Sequence, residues 1–311
     1  MKLSDQQVQF FRTFGFIKFP GIFAGDIGRI TDAYEQVWKD HGGGYEGRVH
    51  DYEHRSVLWP FIDDNEYLSS LIDDKRIKAI GTSLLGNGFN YASSDGNFYV
   101  GDTNWHSDTC RNFNYGPVMN DPSRSSYGYG ALKLGFYLDP LTKDEGCLRV
   151  IPGSHRVGDK FGDSLQGEIF ETQDNWGMRE KDVPAIPLET TPGDLLVFDL
   201  CIKHASFGGG TRRRMFTINL QQRFSDKDLP SLRENIASMA STKGGAHRFG
   251  ADRAYGEVML RTASPQRMVH LQQRMDNDSL LRERLLKLAN LDMANPGESD
   301  AGSHEDMMMG G

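Results

Sequence analysis

Five short runs of alternating or apolar residues, bounded by glycine, proline, asparagine and aspartate, occupy positions 97–100, 132–138, 147–151, 195–202 and 215–223. Strand side chains repeat every two positions, so short runs of this kind with turn residues between them specify a sandwich or barrel. No strand–helix–strand alternation accompanies them. Gly128, Gly130 and Gly135 sit in a strand-like context and do not form a dinucleotide fingerprint. The expected fold class is mainly β with flanking helices, in the form of a double-sheet jelly roll.

Helical periodicity lies on either side of these runs. Ser4 and Asp5 open a helical pattern through Phe14, Gly15 ends it, and residues 16–19 read as a short strand. Ile27, Ile30, Tyr34, Val37 and Trp38 have helical spacing within 26–40, and further helical stretches cover 65–71, 74–85, 229–239 and 265–291. At 311 residues the chain reads as a single domain over 1–294. Helices fill 1–90, a jelly-roll core 91–225, and helices again 226–294. Residues 295–311, rich in Gly, Ser, Asp and Met, are expected to be disordered. The long polar stretch 157–187 reads as an inserted loop or lid.

The formal charge of −8 and a pI near 5.6 argue against nucleic acid and against a polybasic membrane surface as partners. No run of about 18 apolar residues suggests a membrane span. Positions 1–9 are polar and lack an apolar signal core. Cys110, Cys147 and Cys201 are odd in number and include no Cys-x-x-Cys pair, so buried thiols in a reducing, cytoplasmic setting are expected. Cys110, two residues from Asp108, could also lie near that carboxylate.

The chemistry concentrates in His106-Ser107-Asp108, in His204 and in Arg212-Arg213-Arg214. An imidazole and a carboxylate two positions apart share one face of an extended strand. His204, at the end of the apolar strand expected over 195–202, could close that pair into a three-ligand set. Two histidines and one carboxylate bind Fe(II) without completing its coordination shell. Trp105 places a large ring beside the pair. The arginine cluster offers a bidentate fork for a carboxylate, such as the far end of 2-oxoglutarate. In 211–220, Arg213, Met215, Thr217 and Asn219 fall on one face and Arg212, Arg214, Phe216 and Ile218 on the other. Parity alone does not say which face is inward.

Trp105-His106-Ser107-Asp108, the segment Gly146-Cys147-Leu148-Arg149-Val150-Ile151-Pro152-Gly153-Ser154-His155, then His204-Ala205-Ser206 and Arg213-Arg214 together resemble the phytanoyl-CoA dioxygenase family. The likeness covers about residues 14–224. It implies the double-stranded β-helix, a cupin-like jelly roll, and oxidative decarboxylation of 2-oxoglutarate to succinate and CO2 coupled to oxidation of a substrate C–H bond. Carried over residue by residue, it implies His106, Asp108 and His204 as iron ligands and Arg213 as the 2-oxoglutarate arginine. Arg212 and Arg214 stay open through a one-residue register slip. Ser206 matches a position that can bond the same carboxylate, and Asn97 is a further candidate. Fe(II), 2-oxoglutarate and O2 are the implied cofactor and co-substrates.

His155 and Arg149 are read as structural despite their place in the motif. Residues 109–126, with Arg111, Phe113, Tyr115 and Arg124, and residues 42–55, with Arg48, His50, His54 and Arg55, could face the pocket and favour a polar or anionic small molecule. Asp108 occupies the position a halide would otherwise fill, so hydroxylation is expected rather than halogenation. Two other readings compete: desaturation, cyclisation or epimerisation at the same site, and a non-catalytic jelly roll that binds metal or a carboxylate ligand.

Overall fold

The structure is a computed structural model and describes residues 2–44, 49–108, 130–156, 165, 169, 171–241 and 255–278. The first helix, α1 (Asp5–Phe14), begins at a reciprocal cap in which Ser4 accepts from the Gln7 N–H and the Gln7 side chain accepts from the Ser4 N–H. It stops at Gly15, whose φ of 82° is a left-handed conformation that glycine adopts without strain. Strand β1 (Phe16–Phe19) follows. Helix α2 (Ile27–Asp40) buries Ile30, Ala33, Tyr34, Val37 and Trp38, one apolar stripe at helical spacing. After β2 (Ser56–Leu58), Asn65 caps α3 (Glu66–Ser70) and Asp74 caps α4 (Lys75–Leu85).

The remaining strands are β3 (Asn90–Tyr99), β4 (Thr103–His106), β5 (Ala131–Tyr137), β6 (Leu148–Val150), β7 (Ile186–Leu188), β8 (Leu195–Asp199), β9 (His204–Ser206) and β10 (Arg213–Gln221). They form two antiparallel sheets, a six-stranded one in the order β1-β8-β5-β10-β3-β2 and a four-stranded one in the order β4-β9-β6-β7. This is the expected jelly roll. The larger sheet reaches beyond the 91–225 stretch, because β1 and β2 form its two edges.

Both faces of the six-stranded sheet are covered. On the outer face, Leu134, Phe136, Val197, Phe216 and Ile218 pack with Tyr34, Trp38 and Phe61, and with Tyr255, Met259 and Leu271 from the C-terminal helical part, in one apolar cluster. On the inner face, Tyr137, Leu196, Phe198 and Met215 meet Cys147, Leu148 and Val150 from the four-stranded sheet.

Three expectations are corrected here. The run 195–202 is not one strand. Asp199 folds the chain over, accepting the Cys201 N–H on its side chain at 2.9 Å and the Ile202 N–H on its carbonyl at 3.0 Å. His204 therefore opens a strand of the opposite sheet instead of ending the first. Trp105 turns away from its neighbours' site: it packs near Phe207 and donates from its indole to the Glu180 carbonyl at 2.8 Å. The described part of 157–187 lies behind the four-stranded sheet, where Val183, Trp176 and Met178 join Trp105, Ala205 and Phe207, and Ile186–Leu188 is itself a strand. The helix expected over 265–291 is seen as Pro265–Met275. Residues 279–311, including the tail expected to be disordered, lie outside the described residues, as do Cys110, Arg48 and positions 109–126.

Candidate metal and carboxylate site

Strands β4 and β9 pair so that His106 stands directly opposite His204. Their rings lie 4.2 Å apart between centroids. Asp108, two residues past the end of β4, is tied back by its N–H to the Leu200 carbonyl at 3.0 Å, while the Ser107 hydroxyl donates to the Cys201 carbonyl at 2.9 Å. One ligand atom from each of His106, Asp108 and His204 lies within 4.8 Å of the others. The strand change at 200–203 thus holds the third ligand against the first two.

The local chemistry suits a cation. The Nδ1 of His106 lies 2.7 Å from the Asn104 carbonyl, and that of His204 lies 2.9 Å from the Ile202 carbonyl. A carbonyl can only accept, so Nδ1 carries the proton and Nε2 is left as a lone-pair donor facing the site. Burial, together with the neighbouring His204, pushes His106 down to about 3. Burial likewise lowers His204. Burial of Asp108 works to raise its pKa, but Lys133, His204 and His106 outweigh it and hold the carboxyl below the usual carboxylate range. Its Oδ2 is buried with no hydrogen-bond partner and lies 3.8 Å from His204 Nε2. Two neutral imidazoles and an ionised carboxylate with an orphaned oxygen fit a divalent ion with open coordination positions. A buried oxygen of this kind is costly unless something pairs with it.

Burial and pairing show which face of β10 is inward. Arg213 points between the sheets and is 5% exposed. It donates to the Gly146 carbonyl at 2.6 Å and to Ser206 Oγ at 3.0 Å, and its Nε is buried without a partner. Burial pulls its guanidinium below the usual arginine range, but arginine stays charged throughout the pH range of folded proteins. Gly146, at φ 82°, leaves room for it: a Cβ there would stand 1.9 Å from Arg213 Nη1. Arg212 and Arg214 face outward. Arg214 pairs with Asp139 and Glu35, and Arg212 pairs with Glu35.

Asn97 is fully buried on the inner face, opposite Met215. Its Oδ1 accepts from Arg55 Nε and Nη2 at 2.9 and 2.7 Å, and its Nδ2 donates to Asp95 Oδ2 at 2.6 Å and to Met215 Sδ at 3.4 Å. The direct contact with a ligand carboxylate expected of Asn97 therefore has no free amide donor to make it. Arg55, held by Asn97 and stacked 4.2 Å from the centre of the Tyr99 ring, is the group it presents.

His50 is buried against Ser56 and the Thr211 carbonyl, and His54 pairs with Asp51 on the surface. His155 reaches the Arg12 carbonyl beneath Gly15, and Arg149 bonds the carbonyls of Lys143 and Lys181. Cys147 and Cys201 are buried thiols, and burial pushes Cys147 up to about 11.

Sequence reasoning passed over Lys133, whose Nζ sits 2.9 Å from Asp108 Oδ1. The signal was present: a lone charge within Ala131–Tyr137, at the same parity as Tyr137.

Fold and side chains together define a jelly-roll protein in which two histidines and one carboxylate cluster beside a buried arginine. Residues 51–215, more than half of the chain, match the phytanoyl-CoA dioxygenase (PhyH) family, and the protein belongs to that family. Among curated proteins it is similar to dioxygenase lolE1 of Epichloe uncinata, 27% identical over 120 residues, which are 39% of this chain. The match spans 43% of that relative's length. Solved structures share the fold. The non-heme alpha ketoglutarate dependent carbocyclase SnoK from nogalamycin biosynthesis superposes with a TM-score of 0.53 at 20% identity, covering 71% of this chain and 84% of that one. HygX from Streptomyces hygroscopicus, solved with nickel and 2-oxoglutarate bound, gives 0.55 at 14% identity, covering 72% and 89%.

Among the described residues, no helix is long and apolar enough to cross a membrane.

Proposed function

We propose that this chain is an Fe(II)- and 2-oxoglutarate-dependent dioxygenase that hydroxylates an unactivated C–H bond of a small molecule. The observation that carries the reading is the convergence of His106, Asp108 and His204 within 4.8 Å, in a barrel that also buries Arg213 against Ser206. HygX, which shares the fold, binds 2-oxoglutarate and a divalent metal together. The ferrous ion, when bound, supplies activation of O2 coupled to decarboxylation of 2-oxoglutarate to succinate and CO2.

The chain's own residues do the rest. His106 and His204 present Nε2, fixed by their Nδ1–carbonyl bonds, and Asp108 presents an anionic oxygen. Arg213 and the Ser206 hydroxyl grip the distal carboxylate of the co-substrate, and the unpartnered Nε of Arg213 is available to it. Asn97 acts through Arg55, which with Tyr99 forms a polar wall suited to a polar or anionic substrate. Asp108 would hold the metal where a halide would otherwise bind, which supports oxygen insertion over halogenation.

Residues 1–294 work as one catalytic unit in this reading, supported by the apolar cluster that joins N-terminal helices, sheet and C-terminal helices. The cytoplasmic location belongs to the same reading and draws on the buried thiols.

The test is succinate release from 2-oxoglutarate with and without iron, in wild type and in His106→Ala. Iron-dependent succinate that disappears in the variant is expected. Tight binding of 2-oxoglutarate with no decarboxylation under any substrate tried would instead assign a binding role. Product mass separates the outcomes: hydroxylation adds one oxygen atom, desaturation or ring closure removes two hydrogens, and epimerisation changes neither.

A further inference from the structure

Lys133 is the one charged residue of β5 and stands on the inner face of the six-stranded sheet, opposite Phe198 and Asn219. Its ammonium donates to Asp108 Oδ1 at 2.9 Å, with the two side chains 17% and 20% exposed. The other oxygen of the same carboxylate, Oδ2, has no partner and faces His204 Nε2. The two oxygens are therefore committed differently by the fold. One accepts from a cation of the large sheet, and the other is left for the histidine side.

A carboxylate with both oxygens free can chelate a metal through both and occupy two coordination positions. An oxygen already bound to an ammonium is a poor second ligand. A co-substrate binding through two atoms, together with O2, would need the positions that three single-atom protein ligands would leave open. We propose that Lys133 is a positioning residue that restricts Asp108 to one-oxygen ligation, keeping the last coordination position open after 2-oxoglutarate has bound. The inference rests on the metal reading above.

Electrostatics gives the proposal its sign. An ammonium beside a carboxylate ligand repels a divalent ion, so Lys133 works against metal affinity. Its removal should leave metal binding equal or tighter while closing an open position. A residue that merely builds the ligand set would show the opposite: loss of metal.

The test uses the full chain with Mn(II) as probe, reading water-proton relaxation, which scales with the number of water molecules on the ion. Wild type with Mn(II) and saturating 2-oxoglutarate should retain a water ligand and its relaxation signal. In Lys133→Met, Mn(II) should bind at least as tightly, the signal without 2-oxoglutarate should fall by about one third, and the signal with it should fall to the level of an ion without water ligands. Lys133→Arg, which keeps a cationic donor, should behave as wild type. If Lys133→Met does not fold, as judged by melting of the metal-free protein, Lys133→Thr, too short to reach Oδ1, carries the same expectation. The proposal is overturned if the short or apolar variant keeps the wild-type signal in the ternary complex, or if it loses Mn(II) affinity tenfold or more. Failure of wild type itself to bind Mn(II) or 2-oxoglutarate overturns the metal reading instead.

Discussion

Arg213→Ala should separate co-substrate binding from metal binding. The guanidinium is buried, holds the Gly146 carbonyl and Ser206, and keeps Nε unpartnered. A carboxylate that binds there gains a charge-assisted contact in a site screened from water. Removing one partner of a buried charge pair costs about 3–5 kcal/mol. Two of the arginine's donors are already engaged within the protein, so the lower part of that range applies. The affinity for 2-oxoglutarate should fall by about 10²- to 10³-fold, at 1.4 kcal/mol per decade. The variant also leaves the buried Gly146 carbonyl without its donor, a cost of about 1–3 kcal/mol in stability. Metal affinity should be nearly unchanged, because the three ligands lie on or beside β4 and β9, not on β10.

The assay is anaerobic titration of the metal-loaded protein with 2-oxoglutarate, alongside melting and metal titration. Arg214→Ala, which breaks partly exposed pairs with Asp139 and Glu35, should cost about 1 kcal/mol or less in stability and leave 2-oxoglutarate affinity intact. Unchanged affinity in Arg213→Ala, or a large loss in Arg214→Ala, would refute the assignment of the inward face.

Gly146→Ala should mimic part of that defect from the other side. Its Cβ would stand 1.9 Å from Arg213 Nη1 on a backbone at φ 82°, so 2-oxoglutarate affinity and melting temperature should both drop, with a stability loss of about 1–3 kcal/mol; wild-type affinity in this variant would mean that the guanidinium relocates freely. The metal-free protein should lose stability as pH falls. Burial lowers His106 to about 3 and also lowers His204 and His270, so the unfolded chain, titrating near 6.5, binds protons that the fold refuses. The stabilisation is complete above about pH 6.5 and is lost as pH falls at up to ~1.4 kcal/mol per pH unit per histidine, for His106 down to about pH 3. Asp108, held below the carboxylate range, adds a loss of the same sign at the acid end. Melting in chelator from pH 7.5 down to 4.5 checks this, and a flat profile would contradict the burial of these rings.

Much of the architecture is legible in the order of the residues. Ser4, Asn65 and Asp74 announce their helices because capping is a local interaction between neighbours in sequence. The strand runs announce a jelly roll, and the residue types at 106, 108 and 204 announce a metal with open positions. What stayed hidden depends on both faces of one sheet being buried. Every residue of β8 is buried, and β10 has only two partly exposed positions among nine. In such strands, hydropathy alternates too little to show which side is inward.

Which of Arg212, Arg213 and Arg214 faces inward was open for that reason, and packing decided that: Glu35 and Asp139 claim the outer pair, and Gly146 with Ser206 claims the inner one. Lys133 and the saturated amide of Asn97 follow the same logic, since each is defined by a partner on another strand. The sequence alone determined which chemical groups the protein owns and that its strands fold into a double sheet. Only the tertiary structure decided which of those groups meet, because contact across a barrel is set by register and strand order, which period-two patterning does not encode.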